Sequence, residues 1–577
     1  MAAVETIFRR FSEVVKLYPR NIALGYKENG HYKTKTYKRL LDIINRYVTG
    51  LKKIGIKEGD KVAIFSKNRP EWIILDLALN KIGALTVPIH TTLSPRLIKY
   101  IINNSQAQYL AIGDFFSKYQ EIKNEVQLKK IITFNKIEWK EGLIYFGDLF
   151  KEEPDQEEPA NFDVCTIIYT SGTTGDPRGV MLSNQNFLEN VRAASQYVPI
   201  CAKDIFLSFL PLSHVLERTG GYLGPFYFGA AIYFAESSKT LAEDIKKVKP
   251  TMMVSVPRIF EKVNDKIMDK IRQSSKLKQN LFFASLKISR AYLNAKKEES
   301  VLKFFLKSSH FLTDKFILSK VRQVLGGHLK YSISGGAALN PSVAKFFEAV
   351  GIKILEGYGL TETSPIIAVN PVDNYKFGTV GKVIPGVSVK IADEDDEILV
   401  KGPNVMKGYY NNEQATKESY TTDGWFKTGD LGHLDSDGYL TIIGRKKEMI
   451  ITSTGKNINP VDLENALVGS KYISQAMVFG ERQKYLSALI VPDFEELKIY
   501  ANENNLQMEL FELLKYQPII DLIRNEINNQ LKEFPDNEQI GKFYLLDKEF
   551  SEEREELTPT LKLRREKILR NYEHIIE

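Results

Sequence analysis

The stretch YTSGTTGDPRGV, from Tyr169 to Val180, decides the fold. It overlaps the end of DVCTIIYT at 163–170, an apolar run that predicts a buried strand. The residues that follow are rich in hydroxyls and glycines and include one cation: Thr170, Ser171, Gly172, Thr173, Thr174, Gly175 and Arg178. Because glycine allows the backbone to approach a ligand closely, such a loop can turn N–H groups and hydroxyls toward phosphate oxygens. The sequence therefore predicts a phosphate-binding loop, although this loop does not match the glycine-lysine pattern of P-loop proteins.

Seven further motifs follow this loop along the chain. They are PLSHVLER at 211–218, VPRIFEKV at 256–263, SGGAAL at 334–339, EGYGLTET at 356–363, DGWFKTGDLG at 423–432, IIGRKKEMIITSTGKNINP at 442–460 and LTPTLKLRREKI at 557–568. With the loop, and in this order, they resemble the signatures of the adenylate-forming (AMP-binding) superfamily of acyl-CoA synthetases, firefly luciferase and peptide-synthetase adenylation domains. VPRIFEKV, the basic helical insertion after it and TPTLK are similar to the long-chain acyl-CoA synthetase branch. The resemblance covers nearly the whole chain.

The resemblance implies an α/β fold with the two-domain adenylate-forming architecture. We expect an N-terminal AMP-binding domain over 1–444, built from βαβ sheets with a β-rich subdomain at about 380–444, and a small mobile C-terminal α/β domain over 445–577. In this family the site lies between the two domains, and Lys447 matches the hinge position, where many acyl-CoA synthetases have aspartate. The balance between the two domain states therefore stays open.

Local patterns point to the same class of fold. Helical spacing from Tyr37 to Ile54 alternates with the strand-like runs KVAIFS at 61–66 and ALTVPI at 84–89, as in βαβ units. The acidic, proline-containing run KEEPDQEEPA at 151–160 predicts a solvated loop. Beyond Val380 the short runs GVSVKIA, DEILVKG and YLTIIG, separated by turn residues, predict a smaller β-rich region.

The resemblance implies roles for the residues of EGYGLTET and SGGAAL. Tyr358 would offer a flat ring for adenine, and Gly335, Gly336 and Ala337 would form the wall of the adenine pocket. Thr361 and Glu362 would bind phosphate and Mg²⁺, since a hydroxyl and a hard carboxylate suit both.

The family also implies roles in the C-terminal part of the chain. Asp430 would accept hydrogen bonds from both ribose hydroxyls, and Arg445 would lie beside it. Lys562 would bridge the attacking carboxylate and the α-phosphate, because a mobile ammonium suits a transition state that gathers negative charge. Gly455, in STGKN at 453–457, would lie along the path of the pantetheine arm.

The histidine of PLSHVLER has two interpretations. In the family, a histidine or aromatic residue at the position of His214 lines the channel near the acyl carboxylate and, later, the thiol. A lone histidine is also often a packing or gating residue, so both roles stay open.

One position departs from the family pattern. The glycine-rich loop usually ends in PKG, whereas here it reads Asp176-Pro177-Arg178-Gly179. Arginine keeps the charge and can hold a phosphate bidentately, but its planar group is bulkier than an ammonium. We expect activity to be retained, with altered handling of pyrophosphate.

The expected reaction has two steps. A fatty carboxylate attacks the α-phosphate of ATP to give acyl-AMP and pyrophosphate, and coenzyme A then displaces AMP. We expect a ligase that uses a long-chain fatty acid, ATP, Mg²⁺ and CoA. Open alternatives are an enzyme that loads a separate carrier protein, a light-emitting oxygenase and a degenerate, lipid-binding relative.

Composition sets the class of protein. The 577 residues suffice for three or four domains of roughly 150 residues, and 43% hydrophobic and 26% charged residues exclude disordered, collagen-like and membrane-embedded chains. The net charge of +7 is small, so a dedicated nucleic-acid binder is disfavoured. Two cysteines, Cys165 and Cys201, do not make a disulfide scaffold, and the N-terminus lacks the apolar stretch of a secretory signal. We therefore expect a cytoplasmic protein; its oligomeric state cannot be inferred from the sequence.

A basic, aromatic segment follows VPRIFEKV. VLKFFLKSSHFLTDKFILSKV at 301–321 mixes phenylalanines with lysines at helical spacing. The favoured interpretation is a helix whose apolar face packs on the body of the protein and whose lysines face water. Contact with a membrane surface is the alternative.

Overall fold

The strands and helices of the computed structural model belong to two compact units of the chain. Unit 1 comprises Met1–Lys390, Leu399–Thr428 and Leu434–Thr441, and unit 2 comprises Ile391–Ile398, Gly429–His433 and Ile442–Glu577. The structure describes residues 4–137, 142–170, 176–237, 239–297, 301–453, 456–506, 508–551, 553–558 and 562–576.

The β-strands among the described residues are β1 (Ile22–Glu28), β2 (His31–Thr36), β3 (Lys61–Phe65), β4 (Leu85–Pro88), β5 (Tyr109–Ile112), β6 (Lys130–Thr133), β7 (Leu143–Tyr145), β8 (Val164–Thr170), β9 (Arg178–Ser183), β10 (Ile205–Ser208), β11 (Ala231–Phe234), β12 (Met252–Ser255), β13 (Tyr331–Ser334), β14 (Lys353–Gly359), β15 (Ile366–Val369), β16 (Lys382–Val383), β17 (Ser388–Ile391), β18 (Glu397–Lys401), β19 (Gly408–Tyr409), β20 (Phe426–Leu434), β21 (Leu440–Arg445), β22 (Ile450–Ile451), β23 (Asn457–Ile458), β24 (Ile473–Phe479), β25 (Leu486–Pro492) and β26 (Ile540–Leu545).

The α-helices in the same residues are α1 (Ile7–Leu17), α2 (Tyr37–Lys53), α3 (Pro70–Ile82), α4 (Pro95–Ser105), α5 (Phe116–Ile122), α6 (Asn184–Ala194), α7 (Gly224–Phe228), α8 (Leu241–Val248), α9 (Pro257–Arg272), α10 (Lys276–Lys297), α11 (Leu302–Thr313), α12 (Ser319–Arg322), α13 (Pro341–Val350), α14 (Glu413–Glu418), α15 (Pro460–Leu467), α16 (Phe494–Glu503), α17 (Leu510–Leu513), α18 (Gln517–Leu531), α19 (Arg565–Asn571) and α20 (Glu573–Ile576).

Two large sheets form the body of unit 1. One has nine strands in the order β16-β15-β14-β13-β12-β10-β11-β1-β2, and the other has eight in the order β19-β9-β8-β4-β3-β5-β6-β7. The central strands β11, β10, β12, β13 and β14 run parallel, as do β8, β4, β3, β5 and β6. Parallel strands joined by helices are the βαβ arrangement that the sequence predicts, and the α/β class is confirmed.

Smaller sheets complete the chain. One has four strands in the order β17-β18-β20-β21, and three of them, β17, β18 and β21, are the β-rich runs predicted beyond Val380. Unit 2 contains the pair β22-β23 and the three-stranded sheet β24-β25-β26. In that three-stranded sheet β24 and β25 are antiparallel, whereas β25 and β26 are parallel.

A buried ion pair ties the PLSHVLER segment to the core of unit 1. The Arg218 guanidinium donates to Asp76 Oδ1 on α3 at 2.6 Å and to Thr166 Oγ1 on β8 at 2.7 Å. Tyr222 donates its hydroxyl proton to the other oxygen of Asp76 at 3.1 Å. Asp76 lies in α3, whose residues from Trp72 to Ile82 are all buried, and its pairing with Arg218 explains how an acid is accommodated there.

The basic aromatic segment follows the favoured interpretation only in part, because Leu318 is buried and Ile317 and Val321 pack against the core of unit 1. Helix α10 packs on unit 1, but α11 has no buried residue, and the phenylalanines at 304, 305, 311 and 316 are exposed to solvent. The aromatic side chains therefore do not form the packed face that was expected. Among the residues described, no helix combines the length and the apolar character needed to cross a membrane.

Candidate active site

The phosphate-binding loop predicted from the sequence connects two antiparallel strands. Thr170 at the end of β8 is the register partner of Arg178 at the start of β9. Arg178 is exposed, so its guanidinium is accessible to a ligand. Ser171, Gly172, Thr173, Thr174 and Gly175 lie outside the described residues, and their predicted roles stay predictions.

Tyr409 links the end of this loop to EGYGLTET. Strand β19 pairs with β9 and places Tyr409 opposite Val180, two residues after Arg178. The guanidinium carbon of Arg178 lies 5.4 Å from the centre of the Tyr409 ring, and the Tyr409 hydroxyl donates to Glu362 Oε1 at 2.9 Å. A cation and a carboxylate that are far apart in sequence thus flank one aromatic ring.

The charges around Tyr409 keep it a hydrogen-bond donor. Burial and the neighbouring Glu362 carboxylate raise the pKa of the Tyr409 hydroxyl well above its usual value, whereas Arg178 opposes the shift. The phenol therefore stays protonated at all physiological pH values. It holds one oxygen of Glu362 in a fixed direction.

EGYGLTET runs along β14 and into a 3₁₀ turn at Thr361–Thr363. Tyr358 is opposite Ala368 on β15, and both Thr361 and Glu362 are partly buried. The first residue of the motif, Glu356, is buried and accepts a hydrogen bond from the Leu339 backbone N–H at 3.2 Å. Burial raises the pKa of Glu356 to about 7.

SGGAAL begins at the carboxyl end of β13. Gly335 follows this strand and donates its N–H to Ser255 O at 3.2 Å, and Gly336 has a φ of +88°, which an L-residue rarely adopts. Ala337 is exposed. Ser255, Ser334 and Glu356 are neighbours in register on β12, β13 and β14, so the two motifs meet at one edge of the parallel sheet. Ligands of open α/β sheets bind at this edge.

His214 lies in the turn after β10, close to a second histidine. Its Nδ1 accepts a hydrogen bond from the Leu216 N–H at 3.3 Å. Burial, and then the nearby His214, lower the pKa of His90 to about 4, so His90 is neutral at physiological pH. His90 Nδ1 contacts Thr92 Oγ1 at 2.9 Å.

Unit 2 brings Asp430 and Arg445 together. Asp430 is only 6% exposed, and Arg445 Nε donates to its Oδ1 at 2.9 Å. Glu397 supports this pair because its Oε1 accepts the N–H of Gly429 at 2.9 Å, while Lys446 donates to its Oε2 at 3.1 Å. Arg445 therefore orients the Asp430 carboxylate directly, and Glu397 fixes Gly429 and Lys446, the residues next to the two members of the pair.

Lys562 is carried by a short hairpin of unit 2. Leu557 and Leu563 form a β-bridge, and the backbones of Thr558 and Lys562 are hydrogen-bonded at 2.8 Å. Desolvation lowers the pKa of the Lys562 ammonium, and the Arg445 guanidinium lowers it further, whereas Asp430 and Glu448 act in the opposite direction. The ammonium thus belongs to the same electrostatic group as the Asp430–Arg445 pair.

The base of this hairpin is fixed by buried ion pairs. Glu556 is fully buried and accepts hydrogen bonds from Arg554 Nε at 3.0 Å and from Asn571 Nδ2 at 3.0 Å. After the hairpin, Arg565 donates to both carboxylate oxygens of Glu464. Lys447 is exposed in a 3₁₀ turn, and Gly455 lies outside the described residues.

A magnesium ion would need oxygens from the nucleotide as well as from the protein. In the part of the chain that the structure describes, no three His, Cys, Asp or Glu side chains are grouped so that they alone could hold a metal. Mg²⁺ is usually bound by one or two carboxylates together with substrate phosphates and water. The adjacent Thr361 hydroxyl and Glu362 carboxylate fit that mode of binding.

Four residues near the predicted site were missed by the sequence reasoning: Tyr409, His90, Glu397 and Glu556. They lie outside the quoted motifs or were not distinguished within them, and their contacts join residues that are distant in sequence. The sequence YY at 409–410 was the available signal for Tyr409, but only strand pairing shows which tyrosine faces Arg178.

Family comparisons match both parts of the chain. Residues 11–410 match the family described as AMP-binding enzyme, and residues 447–577 match the family described as AMP-binding enzyme C-terminal domain.

Curated relatives align over almost the full length. Long-chain-fatty-acid–CoA ligase FadD15 of Mycobacterium bovis is 35% identical over 92% of this chain and 89% of its own length. Long-chain-fatty-acid–CoA ligase ACSBG1 of Homo sapiens is 31% identical over 99% and 85%. The chloroplastic long-chain-fatty-acid–[acyl-carrier-protein] ligase AEE15 of Arabidopsis thaliana is 30% identical over 94% and 82%.

Solved structures share the fold. An anthranilate CoA ligase, AuaEII, in complex with anthranoyl-AMP, has a TM-score of 0.75 at 19% identity and covers 99% of this chain and 98% of its own. ATP-bound MatB from Rhodopseudomonas palustris has a TM-score of 0.72 at 20% identity, with 99% of each chain covered. The adenylate-forming fold expected from the motifs is confirmed.

Proposed function

The chain belongs to the AMP-binding enzyme family, and from this premise we propose that it is an ATP-dependent long-chain fatty acid–CoA ligase. It would activate a fatty acid as acyl-AMP, release pyrophosphate, transfer the acyl group to coenzyme A and release AMP. The observation that carries the proposal is the arrangement of Arg178, Tyr409 and Glu362, in which one tyrosine contacts both the cation proposed to bind phosphate and the carboxylate proposed to bind Mg²⁺.

In the first half-reaction a carboxylate oxygen of the fatty acid forms a bond to the α-phosphorus of ATP, and the bond to pyrophosphate breaks. Arg178 and the hydroxyls of the preceding loop would bind the leaving phosphates. Thr361 and Glu362 would hold Mg²⁺, which neutralises phosphate charge when bound. The hydrogen bond from Tyr409 would fix the direction of Glu362.

The nucleoside would be recognised by two groups of residues. Tyr358, at the end of β14, would stack on adenine, and Gly335, Gly336 and Ala337 would line its pocket, because small residues leave the backbone accessible. Asp430 would accept hydrogen bonds from the ribose hydroxyls, and the hydrogen bond from Arg445 would keep its carboxylate oriented.

Lys562 would supply positive charge to the first step. Its pKa is lowered, yet a nearby triphosphate and carboxylate would favour the charged ammonium. In the second step the thiolate sulfur of CoA attacks the acyl carbonyl carbon and the phosphate oxygen of AMP leaves. Gly455 would leave space for pantetheine, and His214 would face the reacting acyl group.

A carrier-protein ligase is the second candidate function. The Arabidopsis relative named as an acyl-carrier-protein ligase is 30% identical over 94% of this chain, so the same fold accompanies a different named acceptor. The first half-reaction is common to both candidates. The acceptor therefore distinguishes them.

The cellular setting is also a proposal. Cys165 is buried and Cys201 is exposed, and both are free thiols. Free thiols are compatible with a reducing compartment, and we propose that the enzyme acts in the cytoplasm.

Exchange of pyrophosphate into ATP tests the proposed function. We expect exchange that depends on a long-chain fatty acid and on Mg²⁺, with short-chain acids giving little, and release of AMP and acyl-CoA once CoA is added. Glu362→Gln should abolish exchange while circular dichroism shows a folded protein, since an amide cannot replace the charge of the carboxylate. Exchange without any fatty acid response would refute the ligase proposal, and transfer only to an acyl-carrier protein would favour the second candidate.

A further inference from the structure

The helical segment after α9 exposes an apolar stripe to solvent. Helix α10 is anchored to unit 1, because Phe282 and Leu286 are buried and Ser289 donates its hydroxyl to Ala349 O on α13 at 2.7 Å. Helix α11 packs against α10, and the rings of Tyr292 and His310 stack at 4.4 Å between them. Helix α11 itself has no buried residue.

The exposed apolar residues follow the period of one helix face. We define the outer stripe as Val301, Phe304, Phe305, Phe311, Leu312 and Phe316. Their spacing of three, four and seven residues is that of an amphipathic helix, whose apolar face normally points to the core. Here Phe304 and Phe305 are each 78% exposed, and Phe311 and Phe316 are 62% and 59% exposed. Contiguous apolar exposure of this kind marks a contact surface rather than ordinary surface scatter.

The net positive charge of the whole protein is concentrated in the segment of sequence that carries this stripe. Residues 276–325 contain eleven Lys and Arg against three Asp and Glu, a net charge of +8, whereas the whole chain carries +7. The remaining residues are therefore close to neutral. Asp314, one of the three acids, is paired with Arg322 at 2.6 Å. The lysines beside the outer stripe, Lys307 and Lys315, are exposed.

We propose that the outer stripe and its lysines form a docking surface for an anionic lipid bilayer. Phenylalanine and leucine side chains would enter the interfacial region, while the lysines would reach lipid phosphates. A second copy of the chain is disfavoured as the occupant, because it would bring two segments of net charge +8 together. The proposal does not depend on the catalytic chemistry proposed above.

Sedimentation with lipid vesicles tests the proposal on the full chain. Vesicles of phosphatidylcholine with about one third phosphatidylglycerol supply the anionic surface, and pure phosphatidylcholine vesicles supply a neutral one. We expect the protein to bind the anionic vesicles at least about tenfold more tightly and to be released by high salt, because each lysine gains only from a charged surface. Equal binding to both vesicles, or binding to neither, would overturn the proposal.

Two sets of variants locate the surface. Phe304→Ser/Phe305→Ser/Phe311→Ser and, separately, Lys303→Glu/Lys307→Glu/Lys315→Glu should each weaken binding to anionic vesicles by about tenfold or more. Matched controls change the same number of exposed side chains elsewhere: Leu17→Ser/Ile499→Ser/Phe511→Ser and Lys53→Glu/Lys203→Glu/Lys548→Glu. The controls should bind like the wild-type chain, and pyrophosphate exchange should be unchanged in all four.

A tryptophan reporter covers the case in which a triple variant misfolds. Phe304→Trp should show blue-shifted fluorescence on anionic vesicles, because its indole enters the interface, whereas Phe511→Trp should not. An unshifted Phe304→Trp on vesicles that sediment the protein would overturn the assignment of this stripe. Loss of a dimer in the phenylalanine variant, with vesicle binding unchanged, would identify the stripe as an interface between copies and refute the proposal.

Discussion

At the scale of single residues, Tyr409 shows how a neutral side chain organises two charged ones. The Arg178 guanidinium lies over its ring, and its hydroxyl donates a hydrogen bond to the Glu362 carboxylate. Without the Tyr409 hydroxyl, the Glu362 carboxylate would have to bind water or turn toward another donor. A hydrogen bond to a charged group contributes about 1.5–3 kcal/mol, enough to affect how well a magnesium nucleotide is placed.

Tyr409→Phe should therefore lower the rate of acyl-AMP formation by about tenfold to a hundredfold and raise KM for MgATP. The control is Tyr410→Phe, because the hydroxyl of this neighbouring tyrosine donates instead to Gln106 Oε1 at 2.9 Å. The Tyr410→Phe variant should have the same rate and KM as the wild type. Steady-state pyrophosphate exchange measures both variants. Equal losses in the two would show that the Tyr409–Glu362 contact is unimportant.

Arg178 carries the charge that the family usually supplies as lysine. Arg178→Lys should retain or raise the adenylation rate, whereas Arg178→Ala should lower it by about 10²-fold, since a preorganised donor to a charged group is lost. Arg192→Ala removes an exposed arginine that is paired only locally, with Glu189, and serves as the control. An alanine variant at 178 that is as fast as the wild type would mean that the residue faces solvent and would revive the degenerate, lipid-binding interpretation.

At the scale of secondary-structure elements, PLSHVLER combines a predicted site residue, His214, with a structural anchor, Arg218. The sequence drew attention to His214, but Glu217 and Arg218 in the same motif are both buried in the π-helix Glu217–Leu223. The partners of Arg218 come from α3 and β8, which no local pattern reveals. Predictions from periodicity succeeded for local elements, such as α2 and β3, and failed where a contact joins distant segments.

Glu217 makes the stability of this element depend on pH. Its carboxyl has no hydrogen-bond partner among the described residues, and burial raises its pKa from 4.5 to about 8. The folded state therefore keeps a proton that the unfolded state loses above about pH 4.5, so this group lowers the free energy of unfolding as the pH rises from 4.5 toward 8.

Glu217→Gln should remove that pH dependence. The variant should gain stability relative to the wild type by a few kcal/mol between about pH 5 and pH 8, because an amide does not ionise. Denaturant unfolding at a series of pH values measures this difference. The control is Glu243→Gln, at an exposed position on α8, whose free energy of unfolding should differ from that of the wild type by the same amount at every pH. If the free energy of unfolding of Glu217→Gln also differed from that of the wild type by the same amount at every pH, the Glu217 carboxyl of the wild type would be ionised in the folded protein.

At the scale of the whole molecule, the ordered motifs predicted the family and the fold, but not which segments of the chain belong to each compact unit. The segments Ile391–Ile398 and Gly429–His433 belong to unit 2. Contacts such as Gly429 to Glu397 and Lys446 to Glu397 account for this, and they have no signature in hydrophobic periodicity. The domain boundary at Gly444 and the roles of the site residues stay predictions. The sequence left two interpretations of the stripe on α11 open, because the same pattern of phenylalanine and lysine fits a packed helix as well as a helix that contacts a membrane surface.

Lys562 tests whether the two half-reactions use unit 2 differently. Lys562→Ala should lower acyl-AMP formation by about 10²–10³-fold, because one ammonium is lost from a transition state that gathers negative charge. Thioester formation from preformed acyl-AMP and CoA should stay close to that of the wild type. Gly455→Leu, which would obstruct the pantetheine arm, should show the opposite pattern.

The control for this asymmetry is Lys548→Ala, which removes an exposed ammonium from the same unit and should affect neither half-reaction. The hairpin that carries Lys562 is held by Glu556 and its partners, so Lys562→Ala should leave the fold intact, as circular dichroism can show. The lowered pKa of Lys562 in the free enzyme adds a second readout. In the wild type, kcat/KM for ATP, which reports the free enzyme, should decline on the alkaline side at a lower pH than an ordinary lysine would cause, and Lys562→Arg should move that decline upward. An equal loss of rate in both half-reactions of a folded Lys562→Ala protein would mean that the ammonium serves both steps. The prediction that Lys562 acts only in acyl-AMP formation would then be wrong.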